Sequence, residues 1–147
     1  MLNTILSSFY ERDLRKMIDE INSFKNEGNI WETHGTIKNS CGNLASHVTG
    51  GLNYYIGAIL AKTGYVRNRN LEFTIKDVPR KEIVAQLEAL IQMIRTTLES
   101  FDQERMETEF PLEFDNARNS HTYVLTQLLV HLNYHLGQVN YLRRTLE

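Results

Sequence analysis

The chain has 147 residues, 41% hydrophobic and 23% charged, which are globular proportions and exclude disordered and fibrous classes. Sixteen Lys and Arg against eighteen Asp and Glu give a formal charge of -2, so a protein held on nucleic acid by phosphate contacts is a poor fit. The length predicts one domain over residues 1–147, and the single cysteine, Cys41, excludes an intrachain disulfide and fits a cytoplasmic location.

Residues 1–10 are apolar but carry no basic region, and Glu11-Arg12-Asp13 ends the run too early for a targeting signal. No stretch approaches about eighteen apolar residues, so no membrane span is expected. The apolar spacing predicts four helices. The first covers residues 2–26, where Leu2, Ile5, Leu6, Phe9, Leu14, Met17, Ile18, Ile21 and Phe24 recur at roughly helical intervals. Asn26-Glu27-Gly28-Asn29 supplies its stop. The second covers residues 40–62, with Asn39-Ser40 as its cap and Thr63-Gly64 at its end. The third starts near Pro79, a residue suited to a first helical turn, and runs to Ser100. The fourth covers residues 118–146, capped by Asn119 or Ser120. Residues 27–39, 64–78 and 101–117 are read as connections. Each of the latter two is long enough to cross a bundle, so length alone leaves the helix order open.

No phosphate-binding glycine loop, nucleophile elbow or paired-cysteine zinc motif is present. Histidine placement is the informative feature. His131 and His135 lie four residues apart, about 400° around a helix, so their rings leave the same face one turn apart. They fall in the series Val124, Leu128, His131, His135, Val139 and Leu142, which reads as a buried stripe. In the second helix Leu44, His47, Gly51, Tyr54 and Ala58 form another, which turns His47 inward. A buried imidazole without partners is costly. Three in one core call for a common explanation, and shared coordination of a divalent ion is one. Three separately hydrogen-bonded histidines, with Asn43, Gln127 or Gln138 as partners, are the other. Weaker candidates are His34 and His121 near connections, and the carboxylates Glu72, Asp77 and Asp115. Arg67 and Arg69 are candidates for an anionic substrate. Cys41 reads as a small buried residue, and Tyr54, Tyr55, Tyr134 and Tyr141 as packing aromatics.

At these residues the chain resembles the DinB-like (DinB/YfiT) superfamily of metal-dependent helical proteins. The resemblance covers nearly the whole chain. Its most specific stretch is Asn39-Ser40, Gly42-Asn43-Leu44, His47, Gly50 and Ile56-Gly57. Tyr65 to Arg69 with Glu72-Phe73 resembles the loop that follows in one branch, and His131-x-x-x-His135 with Gly137-Gln138 resembles its fourth-helix motif. Gly51, Asn68 and Asn70 depart from that branch, where Asn, Asp and Asp are usual.

The resemblance implies an all-α four-helix bundle of up-down-down-up path, with 64–78 as the long crossover. It implies a metal site of His47, His131 and His135, and a homodimer. Relatives include thiol transferases and a maleylpyruvate isomerase that use bacillithiol or mycothiol. The leading expectation is therefore a divalent-metal-dependent enzyme that transfers a low-molecular-weight thiol to an electrophilic small molecule. Zinc or nickel leads as the ion, ahead of iron and manganese. A metal-dependent hydrolase and a non-catalytic metal-binding stress-response module are the alternatives. No nucleic-acid or membrane partner is expected, and no residue stands out as a general base.

Overall fold

Ser40 shows why the second helix begins where it does. Its hydroxyl accepts the free backbone N–H of Asn43, satisfying a donor that the first helical turn leaves unpaired. The same device starts the last helix, where Ser120 accepts from the Tyr123 N–H. In a computed structural model describing residues 1–147, the chain is all-helical. Its α-helices are α1 (Leu2–Ser23), α2 (Cys41–Leu52), α3 (Arg69–Thr74), α4 (Arg80–Glu99), α5 (Gln103–Glu107) and α6 (His121–Leu146). A 3₁₀ turn occupies Glu27–Trp31, and α2 runs on directly into wider π-helical turns over Asn53–Leu60. No strand forms; two isolated bridges, Glu109 with Ser120 and Phe114 with Ala117, shape the 108–120 connection.

Four long helical segments surround the core. Helix α1 packs on α4 and α6, and α2 packs on both as well. The apolar stripes meet in one cluster of 32 buried residues, with Leu14, Ile21, Ile56, Leu87, Ile94 and Leu132 among its members. Burying each such side chain contributes about 1.5–3 kcal/mol. Truncating a central one, as in Leu87→Ala, costs about 2–5 kcal/mol. No helix is long and apolar enough to cross a membrane.

The predicted helices exist, with differences. Helix α1 stops at Ser23, because Phe24 turns extended, and α6 starts at His121 rather than 118. Pro79 is the residue that precedes α4. The three connections hold the 3₁₀ turn, α3 and α5, each too short to show a helical repeat in sequence. The buried face of α2 is Leu44, Val48, Leu52, Ile56 and Leu60. Tyr54 and Ala58 are only half-buried, since the π turns after Leu52 rotate later residues away from the ideal α phase.

Polar pins set the positions that matter for function. The Asn43 amide donates to the carbonyls of Glu72 (3.1 Å) and Ile75 (2.8 Å), which fastens the crossover onto α2. Asn68 accepts from the Leu71 N–H and starts α3. Asn133 donates to the fully buried Asp13, and Asn140 and Arg143 to Glu20, which fixes α6 along α1.

Candidate metal centre

His47 leaves the second turn of α2 and is buried, 7% exposed. Its Nδ1 lies 3.0 Å from Oε1 of Glu72, a residue only 4% exposed on α3. Arg67 grips the same carboxylate, Nε to Oε2 at 2.8 Å and Nη2 to Oε1 at 3.0 Å. A carboxylate accepts and does not donate, so the His47 proton sits on Nδ1 and Nε2 presents its lone pair. The pairing with Glu72 pushes the Arg67 pKa up. Burial pushes the His47 pKa down, against the opposing pull of Glu72, so the ring is neutral near pH 7.

His131 and His135 come from α6. Their Nε2 atoms are 3.0 Å apart, and His135 Nδ1 is 2.7 Å from Oε1 of Gln138. The amide oxygen accepts, so His135 also carries its proton on Nδ1 and turns Nε2 to the centre. The His47 ring centroid is 5.2 Å from that of His131 and 5.1 Å from that of His135. One donor atom from each ring lies within 4.8 Å of the others. Loss of water around the ring, then the nearby His135, His47, Arg67 and Arg69, pushes the His131 pKa down to about 4.

This donor set suits a divalent ion. The imidazoles are held neutral or tautomer-fixed, as ligands must be. Two nitrogens each about 2.0–2.1 Å from one ion lie roughly 2.8–3.4 Å apart, and the His131–His135 separation already falls there. The three histidines can therefore hold a metal ion.

Residues 2–147 match the model of the family described as Protein of unknown function (DUF1572). The chain belongs to that family. No curated protein matches it.

Two glycines of this DUF1572 chain admit close neighbours to α2, and one of them, Gly50, lets the centre close. A Cβ on Gly50 would lie 2.0 Å from Oε2 of Glu72, so only glycine admits the carboxylate beside α2. A Cβ on Gly42 would lie 2.7 Å from the Trp31 ring. Beside the histidines opens a cleft of about 750 Å³, walled by His47, His131, Tyr55, Phe114 and Leu128, with Arg69, Glu113 and Asp115 adding charge. Asp115 and Asn116 both have positive φ (54° and 60°) and form a two-residue turn closed by Phe114–Ala117 hydrogen bonds.

Several expectations need correction. His131 and His135 do not occupy core positions: His131 is exposed and His135 half-buried, at the edge of the cleft. Their neighbours Leu128, Leu132, Leu136 and Val139 carry the core face instead. Tyr134 and Tyr141 are not packing aromatics but are 64% and 72% exposed. Arg67 is committed to Glu72 and is not free for a substrate anion. Of the amide partners considered for the histidines, Gln138 serves; Asn43 pins the crossover and Gln127 faces Asp115. His34 is exposed, and the buried His121 pairs with Thr108; neither joins the cluster. Asp77 is exposed and also stands outside it. The sequence marks Glu72 as a carboxylate that can approach a metal, and the structure makes it the orienter of His47. The signal was the Arg67…Glu72 spacing in a loop with apolar Leu71 and Phe73 around the acid.

Proposed function

We propose that His47, His131 and His135 hold a divalent metal ion beside the substrate cleft of an enzyme that joins a small thiol to an electrophile. The observation carrying this reading is the convergence of three ring nitrogens at a 750 Å³ cleft, with His47 oriented by a buried carboxylate. The DinB-like superfamily includes families of the DUF1572 type, which supports an up-down-down-up four-helix path with 64–78 as the crossover. Zinc or nickel fits three imidazoles best in this reading, with iron or manganese behind.

The bound ion supplies Lewis acidity that favours the thiolate of an incoming thiol at neutral pH. The chain's own residues do the rest. Glu72 accepts the Nδ1 proton of His47 and fixes its tautomer, and Arg67 holds Glu72 in place. Gln138 does the same for His135. Tyr55, Phe114 and Leu128 offer an apolar wall to the electrophile, and Arg69 offers a cation to a substrate anion. The cluster has three protein donors and no fourth, which favours a catalytic over a closed structural site.

The same reading includes a homodimer, for which the exposed Val130, Tyr134 and Tyr141 of α6 offer an apolar face. It also includes a cytoplasmic location, supported by the lone buried thiol, and no nucleic-acid or membrane partner, supported by the charge of -2.

Elemental analysis of tag-free wild type and His131→Ala is the test. About one ion per chain, lost in the variant, is expected. No ion in either, after exposure to Zn²⁺, Ni²⁺, Mn²⁺ and Fe²⁺, overturns the metal centre. With metal in place, turnover of electrophiles only when thiol is added supports transfer; ester or amide cleavage without thiol overturns it in favour of a hydrolase.

A further inference from the structure

The other side of Glu72 carries a second cavity. The His47 cleft uses the α2 face of His47, Val48 and Gly51. Ser46, Thr49 and Asn53 point elsewhere, roughly 100° or more around the helix, toward α4. There they wall a separate cavity of about 540 Å³ with Gln86, Ala89 and Met93 of α4. Trp31, Ile75, Tyr65 and Val66 also line it.

Three properties mark it as a place for a ligand. Its volume lies within the range of small-molecule sites, about 300–1,000 Å³, and more than half of its wall residues are hydrophobic. The half-buried side chains of Ser46, Thr49 and Asn53 bond to no side chain or backbone group of the protein and are open to a ligand, and the exposed Gln86 and Tyr65 stand beside them. Its wall holds two carboxylates, Glu72 and Glu82, and no Lys, Arg or His. Glu72 is already bonded by Arg67 and His47, whereas Glu82 has no ion-pair partner.

We infer that the groove between α2 and α4 is a second small-molecule site, independent of the histidines, for a largely apolar ligand that is neutral or cationic and carries hydrogen-bonding groups. Apolar contact with Trp31, Ile75 and Met93 supplies the burial. The unpaired hydroxyl and amide groups supply orientation. An anion is disfavoured because the wall carries no cation of its own and the Glu82 carboxylate is unpaired.

Trp31, the one tryptophan of the chain, makes the site readable. The probe is N-phenyl-1-naphthylamine, a neutral aromatic amine that accepts energy from tryptophan. Saturable transfer from Trp31, near one probe per chain, is expected in wild type and in His131→Ala. Ala89→Phe and Ser46→Leu fill the groove from opposite walls and should each weaken binding at least tenfold while melting near the wild-type temperature. The sulfonated analogue 8-anilinonaphthalene-1-sulfonate should bind at least tenfold more weakly than the neutral probe. Absence of saturable transfer overturns the site, as does binding untouched in both groove variants or lost in His131→Ala. Equal binding of the sulfonate overturns the ligand class. None of these outcomes depends on whether the protein holds a metal.

Discussion

His47 Nδ1 and Glu72 Oε1, 25 positions apart in sequence and 3.0 Å apart in space, form the joint between α2 and the crossover. Replacing Glu72 by Gln keeps its shape and removes its charge. The Arg67 pairing weakens and the His47 tautomer is no longer enforced. Metal affinity is expected to fall about 10–100-fold. Loss of charge-assisted hydrogen bonds should cost about 1.5–3 kcal/mol of stability. Competition with a chromophoric chelator and urea melts read the two effects; unchanged affinity would remove Glu72 from the centre.

Gly50 and Gly51 are neighbours with opposite expectations. The Gly50→Ala methyl would meet Glu72 Oε2 at 2.0 Å and must push the carboxylate off His47. It should lower stability by about 1–3 kcal/mol and weaken metal binding as Glu72→Gln does. The Gly51→Ala methyl meets only Arg67 Nη2, at 3.5 Å, an ordinary contact. It should be neutral or raise stability by up to about 1 kcal/mol, the usual gain of Ala over Gly in a helix. Paired urea melts decide between them.

The pH dependence follows from His47 and His131. Loss of water around the rings lowers both pKa values from 6.5, His131 to about 4 with the help of the neighbouring His135, His47, Arg67 and Arg69, while an unfolded histidine still protonates near 6.5. Between those values the unfolded chain binds more protons. Metal-free protein should therefore be fully stable with respect to these groups above about pH 6.5 and lose stability as pH falls toward 4. The His131→Ala protein should show a shallower decline. Urea midpoints at several pH values, fitted for both proteins, test this; parallel curves would refute it.

Cys41 is fully buried, and burial, followed by the charge of Glu20, pushes its thiol pKa up to about 12. The nucleophilic thiolate is almost absent at neutral pH. A disulfide reagent should leave Cys41 untouched in the native protein and react only as the chain opens. Rapid labelling without denaturant would contradict the buried placement.

The long helices were legible because their signals are local. Ser40 and Ser120 cap through the next few residues, and the apolar spacing of Leu14 to Ile21 needs no partner to be read. The histidine trio was legible as a set, because two share a helix face and the third lies on an inward-facing α2. What sequence did not show depends on tertiary placement. Helix α3 exists because Asn43 and Asn68 hold it. Glu72 becomes a partner of His47 only after the crossover folds back. His131 and His135 fall in one series with the buried Val124, Leu128, Val139 and Leu142, so periodicity alone did not distinguish core from cleft edge.

The π-helical turns at Asn53–Leu60 have a consequence for how the chain tolerates length changes. The Ala61 N–H reaches back to the Ile56 carbonyl, and Thr63 to that of Gly57, so this stretch spends more chain per turn than the α-helix before it. Removing one residue there would let ordinary α pairing return, and the chain would leave the helix at a different height and angle. Arg67 and Glu72 would then arrive displaced from His47. The metal pocket is thus indexed by the residue count of a segment that supplies none of its ligands, and a single-codon deletion there would disrupt it with every histidine in place.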